Sequence, residues 1–296
     1  MNHVTIASAG SGKTRKIVKE ALKIPVTDRV LIVTYTIENT EELRNRIVKE
    51  YGCIPPNIQV KTWFSFLLTD CVRPYQNYMY SGKRIKNILF TSKQSVPYIK
   101  ESNTENYYLY KGEFIYSDKV SKFACKCNTK SKGLVIKRLE DIYQSIYIDE
   151  VQDLAGYDLE ILTLLFDSTI NIKVVGDIRQ VTYHTHQLKK NVQYRYDKIV
   201  DFFKQIEQAG KCTISYNKDC YRCNQSICDL ADSLFPALPT STSHNLEITG
   251  HDGIFIVDSE DIERYVKSYS PTVLRYSKRS RTNGLKAYNL KQVFLI

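Results

Sequence analysis

The sequence lacks the two features that would direct it to a membrane or out of the cell. Its 296 residues contain no uninterrupted apolar run of about 18 residues, the length that a membrane-spanning helix requires. The N-terminus lacks the basic, apolar and small-residue order of a signal peptide. With 43% hydrophobic and 25% charged residues, the chain can bury a substantial core. We therefore expect a globular cytoplasmic protein of about two domains.

The eight cysteines do not indicate a disulfide framework, because a long chain without a secretory signal is expected to keep its thiols reduced. Cys220 and Cys223 form a Cys-x-x-Cys pair, with Cys212 and Cys228 nearby, and four thiolates are a common ligand set for zinc. The gaps of 7 and 4 residues on either side of the pair fit no common zinc spacing. Zinc is therefore the weaker interpretation.

The positive charge is concentrated in one segment. The chain has 42 Lys and Arg against 32 Asp and Glu, and residues 73–138 alone contain 14 of the basic and 4 of the acidic residues. Interleaved cations and aromatic rings are typical of surfaces that bind single-stranded nucleic acid. A solvated lysine-rich insertion without a ligand is the alternative. The segment also contains eight of the 22 tyrosines, among them Tyr75, Tyr78, Tyr80, Tyr107, Tyr108 and Tyr110.

Strand and helix patterns alternate outside that segment. His3 to Ala7 and Val30 to Thr34 have the pattern of apolar strands, with an amphipathic helix between them, and the alternation resumes at Ser145 to Ile148. This order predicts an α/β fold in which helices cover a parallel sheet.

The same alternation predicts two domains. We expect a first lobe over residues 1–190, interrupted by the basic insertion at 73–138, and a second α/β unit over residues 191–296. A helix around residues 199–208 would open the second unit, and its later strands would lie at 253–257 and 271–274.

A glycine-rich loop follows the first strand and opens the first helix, the context that makes such a pattern a phosphate site. Gly10 and Gly12 allow backbone N–H groups to surround the β-phosphate. Lys13 adds a positive charge at the β- and γ-phosphate oxygens, and Thr14 offers a hydroxyl to Mg²⁺. The loop predicts an ATP site and comprises Ala7, Ser8, Ala9, Gly10, Ser11, Gly12, Lys13 and Thr14, with Ala7 at a position that is Gly in the strict pattern.

Two adjacent carboxylates end another apolar strand. Asp149 and Glu150 follow residues 146–148, and a parallel sheet brings residues at its strand ends to the ligand crevice. We expect Asp149 to bind Mg²⁺, directly or through water, and Glu150 to polarise the water that attacks the γ-phosphate. An acidic strand end that caps the next helix is the structural alternative.

Five short segments accompany the phosphate loop. They are Val33-Thr-Tyr-Thr36 with Glu42-Leu-Arg44, Thr62-Trp-Phe-Ser65, Asp149-Glu-Val-Gln-Asp153, Val175-Gly-Asp-Ile-Arg-Gln180 and Cys220-Tyr-Arg-Cys223. In this order they resemble motifs Ia, Ib, II, III and IV of superfamily 1 DNA helicases of the UvrD/Rep type. The resemblance covers most of the chain except residues 73–138, and motif IV accounts for the Cys-x-x-Cys pair without zinc. It implies a RecA-like P-loop NTPase sheet followed by a partial second RecA-like lobe.

The resemblance also implies roles at the nucleotide. Gln180 would contact the γ-phosphate and couple hydrolysis to DNA binding. Arg15 and Tyr221 would contact the adenine. Arg222 would act as an arginine finger that neutralises charge in the transition state.

Single-stranded DNA is the second ligand that the resemblance implies. Tyr35, Thr36, Thr62 and Trp63 would face the strand, where an aromatic ring can stack on a base. Trp63 is also compatible with a core position. Only Tyr183 remains of the family's Ser-Ile-Tyr-Arg-Trp-Arg sequence after motif III, so Tyr183, His184 or His186 would replace the stacking tryptophan.

Both ends of the chain depart from the family pattern. Six residues precede the phosphate loop, which leaves no room for the upstream glutamine that reads adenine. Lys286-Ala-Tyr-Asn-Leu290 resembles the strand that leads into motif V, but the Lys-Gly of that motif and the whole of motif VI do not follow. We therefore expect a truncated or frameshifted gene, a fragment, or a subunit completed by a protein partner such as a nuclease. The leading hypothesis is an ATP-dependent motor on DNA. The alternatives are a nucleotide-dependent DNA-binding regulatory subunit and a decayed helicase without activity.

Overall fold

The computed structural model describes residues 2–91, 93–180, 190–275 and 286–289. The chain divides into two compact units, Met1–Glu247 and Ile248–Ile296. No helix within the described ranges is long and apolar enough to cross a membrane.

Strands and helices alternate along most of the chain. The strands are β1 (His3–Ala7), β2 (Val30–Thr34), β3 (Ile58–Thr62), β4 (Asn87–Leu89), β5 (Leu109–Tyr110), β6 (Phe114–Tyr116), β7 (Ser145–Ile148), β8 (Asn171–Gly176), β9 (Thr213–Asn217), β10 (Asp219–Cys220), β11 (Thr242–Ser243), β12 (Leu274–Arg275) and β13 (Tyr288–Asn289). The α-helices are α1 (Lys13–Ala21), α2 (Ile37–Tyr51), α3 (Trp63–Phe66), α4 (Thr104–Tyr108), α5 (Val120–Lys130), α6 (Leu134–Ile142), α7 (Tyr157–Phe166), α8 (Ile199–Gln208), α9 (Gln225–Ser233) and α10 (Ile262–Tyr269).

Six parallel strands form the centre of the first unit, in the order β3-β2-β7-β8-β1-β9. Successive residues of β2 are fully buried and belong alternately to the two hydrophobic clusters, with Leu31 and Val33 in one and Val30 and Ile32 in the other. Burial on both faces explains why the strand is uniformly apolar. The sheet confirms the predicted α/β fold class, a RecA-like P-loop arrangement.

The boundary between the units differs from the division predicted at residues 190 and 191. Strand β9 pairs with β1 along its whole length, from Thr213 opposite His3 to Asn217 opposite Ala7. Helix α8 buries Phe203 in the larger hydrophobic cluster. Both elements therefore complete the first sheet, because a long-range strand pairing holds them there, and the first unit extends to Glu247.

The second unit, as far as it is described, contains α10 and the parallel pair of β12 with β13. Residues 253–257, which we predicted to form a strand, are irregular. The strand predicted at 271–274 is reduced to the two residues of β12. A second RecA-like lobe stays a prediction.

The basic segment 73–138 is a folded subdomain. Its three-stranded sheet has the order β4-β6-β5, and its apolar residues join the same hydrophobic cluster as the main sheet. Tyr108 is completely buried, and Tyr116 is 8% exposed. The Lys119 ammonium group is also buried, where it donates two hydrogen bonds of 2.9 Å to Ser95. Part of the charge and aromatic surface counted in the sequence is therefore structural.

Trp63 belongs to the core, which corrects the prediction that it faces single-stranded DNA. Its side chain is 1% exposed, and the indole N–H donates a hydrogen bond of 2.7 Å to Asp158 Oδ1. The Ser121 hydroxyl donates to the same carboxylate oxygen. A buried polar indole requires such an acceptor. Helix α3 therefore turns the ring inward, and π-helical residues Leu67–Val72 continue the buried face.

We predict that Trp63→Phe destabilises the protein. The substitution deprives the buried Asp158 carboxyl group of a hydrogen-bond donor, which costs about 1 to 3 kcal/mol. Urea unfolding followed by circular dichroism measures the change in the free energy of unfolding. Tyr98→Phe is the control, because Tyr98 is 97% exposed and its hydroxyl group loses only water. Equal stability of the two variants would contradict the buried hydrogen bond.

Candidate active site

The phosphate loop joins the end of β1 to the start of α1. Gly10 and Gly12 have φ angles of 70° and 76°, a region that residues with side chains rarely adopt. Gly10 is also required by space, since a Cβ atom there would lie 2.5 Å from Arg222 Cβ. The carbonyl oxygen of Gly10 accepts a 3.0 Å hydrogen bond from the backbone N–H of Tyr221. Motif IV is therefore packed directly against the loop.

The acidic pair meets the phosphate loop at the same edge of the sheet. The Thr14 hydroxyl group donates a hydrogen bond of 3.0 Å to Asp149 Oδ2. Lys13 Nζ lies 3.9 Å from Glu150 Oε2, and the same oxygen accepts a 2.6 Å hydrogen bond from Gln152 Nε2. The residues predicted to bind Mg²⁺ and to activate water are therefore adjacent.

Burial perturbs the acidic groups of this cluster. The pKa of Asp149 rises from 3.8 to about 7, first because the side chain is buried and then because Glu150 is close. Burial and the charge of Glu150 also raise the pKa of Asp153 to about 7. The positive charge of Lys13 acts in the opposite direction on both groups. Without a bound cation, the ionised forms of both carboxyl groups are therefore less stable than in water, and Lys13 offsets only part of this effect.

This cluster fits a magnesium ion that is bound together with a nucleotide. Asp153 Oδ1 and Ser11 Oγ are buried and have no hydrogen-bond partner within the described ranges. No group of three or more His, Cys, Asp or Glu side chains in those ranges is arranged to hold a metal ion by itself. Mg²⁺ is usually held by one or two carboxylates together with substrate phosphates. Asp149 and the Thr14 hydroxyl group are the candidate protein ligands.

A polar cavity connects most of the predicted nucleotide residues, and it also includes residues that the sequence analysis missed. Asn39, Glu42 and Arg46 reach the cavity from α2, whose sequence was assigned only to motif Ia. Among the predicted residues, Ala7, Ser8, Ala9 and Tyr221 do not line it. The cavity is lined by Gly10, Ser11, Gly12, Lys13, Thr14, Arg15, Asn39, Glu42, Arg46, Asp149, Glu150, Gln180 and Arg222.

The sequence analysis also missed the role of Arg179. The Arg179 guanidinium group donates hydrogen bonds to Ser8 Oγ at 3.2 Å and to Asp232 Oδ1 at 2.9 Å. Ser241 Oγ lies 2.9 Å from Ser8 Oγ and donates to Asp232 at 3.0 Å. In the sequence, the position of Arg179 directly before Gln180 could have indicated this role. Motif III is thereby linked to the phosphate loop and to α9.

The two residues predicted to contact adenine lie at the surface. The Tyr221 side chain is 60% exposed and stacks on His244, with ring centres 5.0 Å apart and planes at 22°. Arg15 lies 3.5 Å from the Glu50 carboxylate, and its side chain is 62% exposed. A purine contact by either residue stays a prediction.

The other residues predicted to bind DNA follow β2 and β3. Thr36 and Thr62 cap the N-termini of α2 and α3, where their hydroxyl groups accept backbone N–H bonds of 3.1 Å. Tyr35 is partly buried, and its ring packs on Phe64. Tyr183 lies outside the described residues. Tyr35, Thr36 and Thr62, three of the five residues predicted to bind DNA, therefore lie together at the carboxyl ends of two neighbouring strands. Their contact with DNA stays a prediction.

Comparison with known proteins identifies the family. Residues 1–186 match a protein family described as AAA domain. This match covers more than half of the chain, so the protein belongs to the AAA-domain family. The comparison with curated proteins found no match.

Two solved structures of the Arterivirus nonstructural protein 10 helicase are similar to this chain. The complex with DNA has 13% sequence identity and a TM-score of 0.44, over 97% of this chain and 49% of that one. The crystal structure described without DNA has 12% identity and a TM-score of 0.42, over 96% and 48%. This chain spans about half the length of these helicases.

We predict that Asp149→Asn changes how stability depends on pH. The raised pKa means that the folded protein holds this proton more tightly than the unfolded chain, so ionisation between about pH 4 and 7 destabilises the nucleotide-free protein. An asparagine at this position cannot ionise, so the variant does not lose stability in this way. The unfolding free energy of the variant relative to the parent should therefore increase by up to about 1.4 kcal/mol per pH unit in that window.

Urea unfolding at a series of pH values, without nucleotide or Mg²⁺, measures the difference between variant and parent. Asp201→Asn is the control, because its side chain is 60% exposed. A difference for Asp149→Asn that stays constant with pH would show that burial does not perturb this carboxyl group.

Proposed function

We propose that this protein is the ATP-hydrolysing part of a superfamily 1 DNA helicase or translocase of the UvrD/Rep type. The observation that carries the proposal is the contact of Thr14 with Asp149 beside the pair of Lys13 and Glu150. These four groups are the ones that magnesium-assisted phosphoryl transfer to water requires. Their order along the chain, with motifs Ia, Ib, III and IV between and after them, supports the helicase class rather than another P-loop enzyme.

Each group has a distinct task in the proposed reaction. Lys13 and the N–H groups of the loop bind the β- and γ-phosphates. Thr14 and Asp149 bind Mg²⁺, which neutralises charge on these phosphates. Glu150 orients the attacking water and accepts its proton.

Two further residues couple the reaction to the rest of the protein. Gln180 follows β8 and lines the same cavity as the phosphate loop, which supports a contact with the γ-phosphate. Arg222 lines the same cavity as the phosphate loop, which supports a contact of its guanidinium group with a bound phosphate. An arginine in this place stabilises the transition-state charge.

DNA-stimulated ATP hydrolysis is the decisive experiment. Turnover by the purified chain that increases when single-stranded DNA is added supports the motor. Nucleotide and DNA binding without turnover would favour a nucleotide-dependent regulatory subunit. Absence of nucleotide binding would reject both.

We predict that Lys13→Ala and Glu150→Gln fail in different ways. Lys13→Ala removes the side-chain cation of the phosphate loop, so Mg-ATP binding should be lost. Glu150→Gln retains Asp149 and Thr14 for the metal, so Mg-ATP should bind while turnover falls about 10²- to 10⁴-fold. Calorimetric titration measures affinity, and phosphate release measures turnover. Equal loss of binding in both variants would assign Glu150 a structural role.

We also predict that exposed lysines of the insertion contribute to the affinity for single-stranded DNA. Lys83, Lys86 and Lys93 are exposed, unlike the buried Lys119. If all three contact phosphates, changing them to Gln should reduce the slope of log affinity against log salt by about 2, because fewer counterions are released.

The matched control changes three lysines near β9, at the opposite edge of the sheet from β3: Lys204, Lys211 and Lys218. That variant should retain the salt slope of the parent. If the insertion variant also retains it, the segment is a solvated insertion and not part of the DNA site.

A further inference from the structure

Three aromatic rings form a row at the carboxyl ends of β2 and β3. The ring of Tyr35 lies 5.8 Å from that of Phe64, with an angle of 50° between the planes. Phe64 in turn lies 5.2 Å from Phe90 in an edge-to-face arrangement of 87°. Phe64 is buried, whereas Phe90 is 68% exposed. The row therefore begins at motif Ia, passes through motif Ib, and ends with an open ring contributed by the insertion.

The backbone on both sides of Phe90 is anchored. Leu89 is the last residue of β4 and pairs with Tyr116 of β6. The backbone N–H of Thr91 donates a 3.1 Å hydrogen bond to Ser117 Oγ. The ring is thus attached to a fixed strand end, and its contact with Phe64 restricts its orientation further. Because the ring is already held in place, stacking of a ligand on it costs little conformational entropy of the protein.

The charge around Phe90 favours a polyanion. Lys86, directly before β4, and Lys93, three residues after Phe90 in the sequence, are both exposed. Lys86 lies 3.0 Å from Glu113, yet its side chain remains 63% exposed. A flat apolar ring flanked by exposed cations matches a nucleotide strand, whose bases stack while its phosphates contact the cations.

We propose that Phe90 is a base-stacking residue for single-stranded nucleic acid, and that it extends the binding path from the main sheet onto the insertion. This inference rests on the proposed function, because it requires the strand to pass the ends of β2 and β3. The ligand group is a nucleobase, and the contact is tolerant of sequence, since every base offers a flat face.

Phe90→Ala and Phe90→Trp test the contact. Affinity is measured by fluorescence anisotropy with a labelled oligothymidylate and with an abasic strand of the same length. Phe90→Ala should weaken binding of the oligothymidylate about 5- to 150-fold, the effect of losing one stacked base. Phe90→Trp should retain the affinity, because indole also stacks. Neither variant should differ from the parent on the abasic strand.

Tyr216→Ala is the control for loss of an exposed aromatic ring. Tyr216 is 40% exposed on β9, which is the outermost strand on the side of the sheet opposite to β3. Its replacement by Ala should not affect the affinity for the oligothymidylate. Circular dichroism and Mg-ATP affinity establish that each variant is folded. The loss caused by Phe90→Ala should also be independent of salt, which separates stacking from the phosphate contacts of the lysines.

The outcomes separate this inference from the proposed function. If the parent binds neither strand, the proposed DNA-binding function and this inference both fail. If the parent binds the oligothymidylate and Phe90→Ala binds it equally well, only the inference is overturned, and the exposed ring belongs to another ligand such as a protein. An equal loss on the abasic strand would also overturn it, because the ring would then act without a base.

Discussion

The hydrogen bond between Thr14 and Asp149 is the contact on which the site depends. It joins the start of α1 to the end of β7, two segments that are 135 positions apart in the sequence. The contact requires that β1 and β7 are parallel and that both end at the same edge of the sheet, with β8 between them. Because Asp149 is buried, the Thr14 hydroxyl group and the backbone N–H of Glu150 stabilise a carboxylate that water cannot reach. The cost of this burial explains why the site is suited to a divalent cation.

A second network connects the phosphate loop to more distant parts of the first unit. Arg179 bonds Ser8 in the loop, Asp232 at the end of α9 and the carbonyl oxygen of Pro239. Its side chain is 10% exposed, so these bonds are shielded from water and form a stronger link than surface ion pairs. Any shift of the loop on nucleotide binding must therefore either move α9 or break these bonds. Arg179 therefore connects the segment after motif IV to the loop that is proposed to bind the phosphates.

The sequence predicted those parts of the fold and site that depend on short continuous patterns. The phosphate loop, the acidic pair and the apolar strands each occupy a few adjacent residues, so their chemistry can be recognised without the fold. The direction of a side chain is not encoded in this way. Trp63 has the residue type of a stacking contact, but the turn of α3 directs it to the buried Asp158. The division of the structure after Glu247 was not foreseen for a related reason, since the pairing of Thr213 with His3 depends on the whole sheet.

Composition was least informative in the basic segment, where residue type and exposure are uncoupled. Lys119 and Tyr108 counted toward a nucleic-acid surface in the sequence, but both are completely buried. Phe90, an apolar residue that the sequence assigned to no site, is 68% exposed at the end of an aromatic row. Leaving a ring of this size in water forgoes about 1.5 to 3 kcal/mol of burial energy. The rigid strand end and the neighbouring lysines explain how that exposed surface can be used, because a stacked base covers the ring while its phosphate remains in contact with the cations.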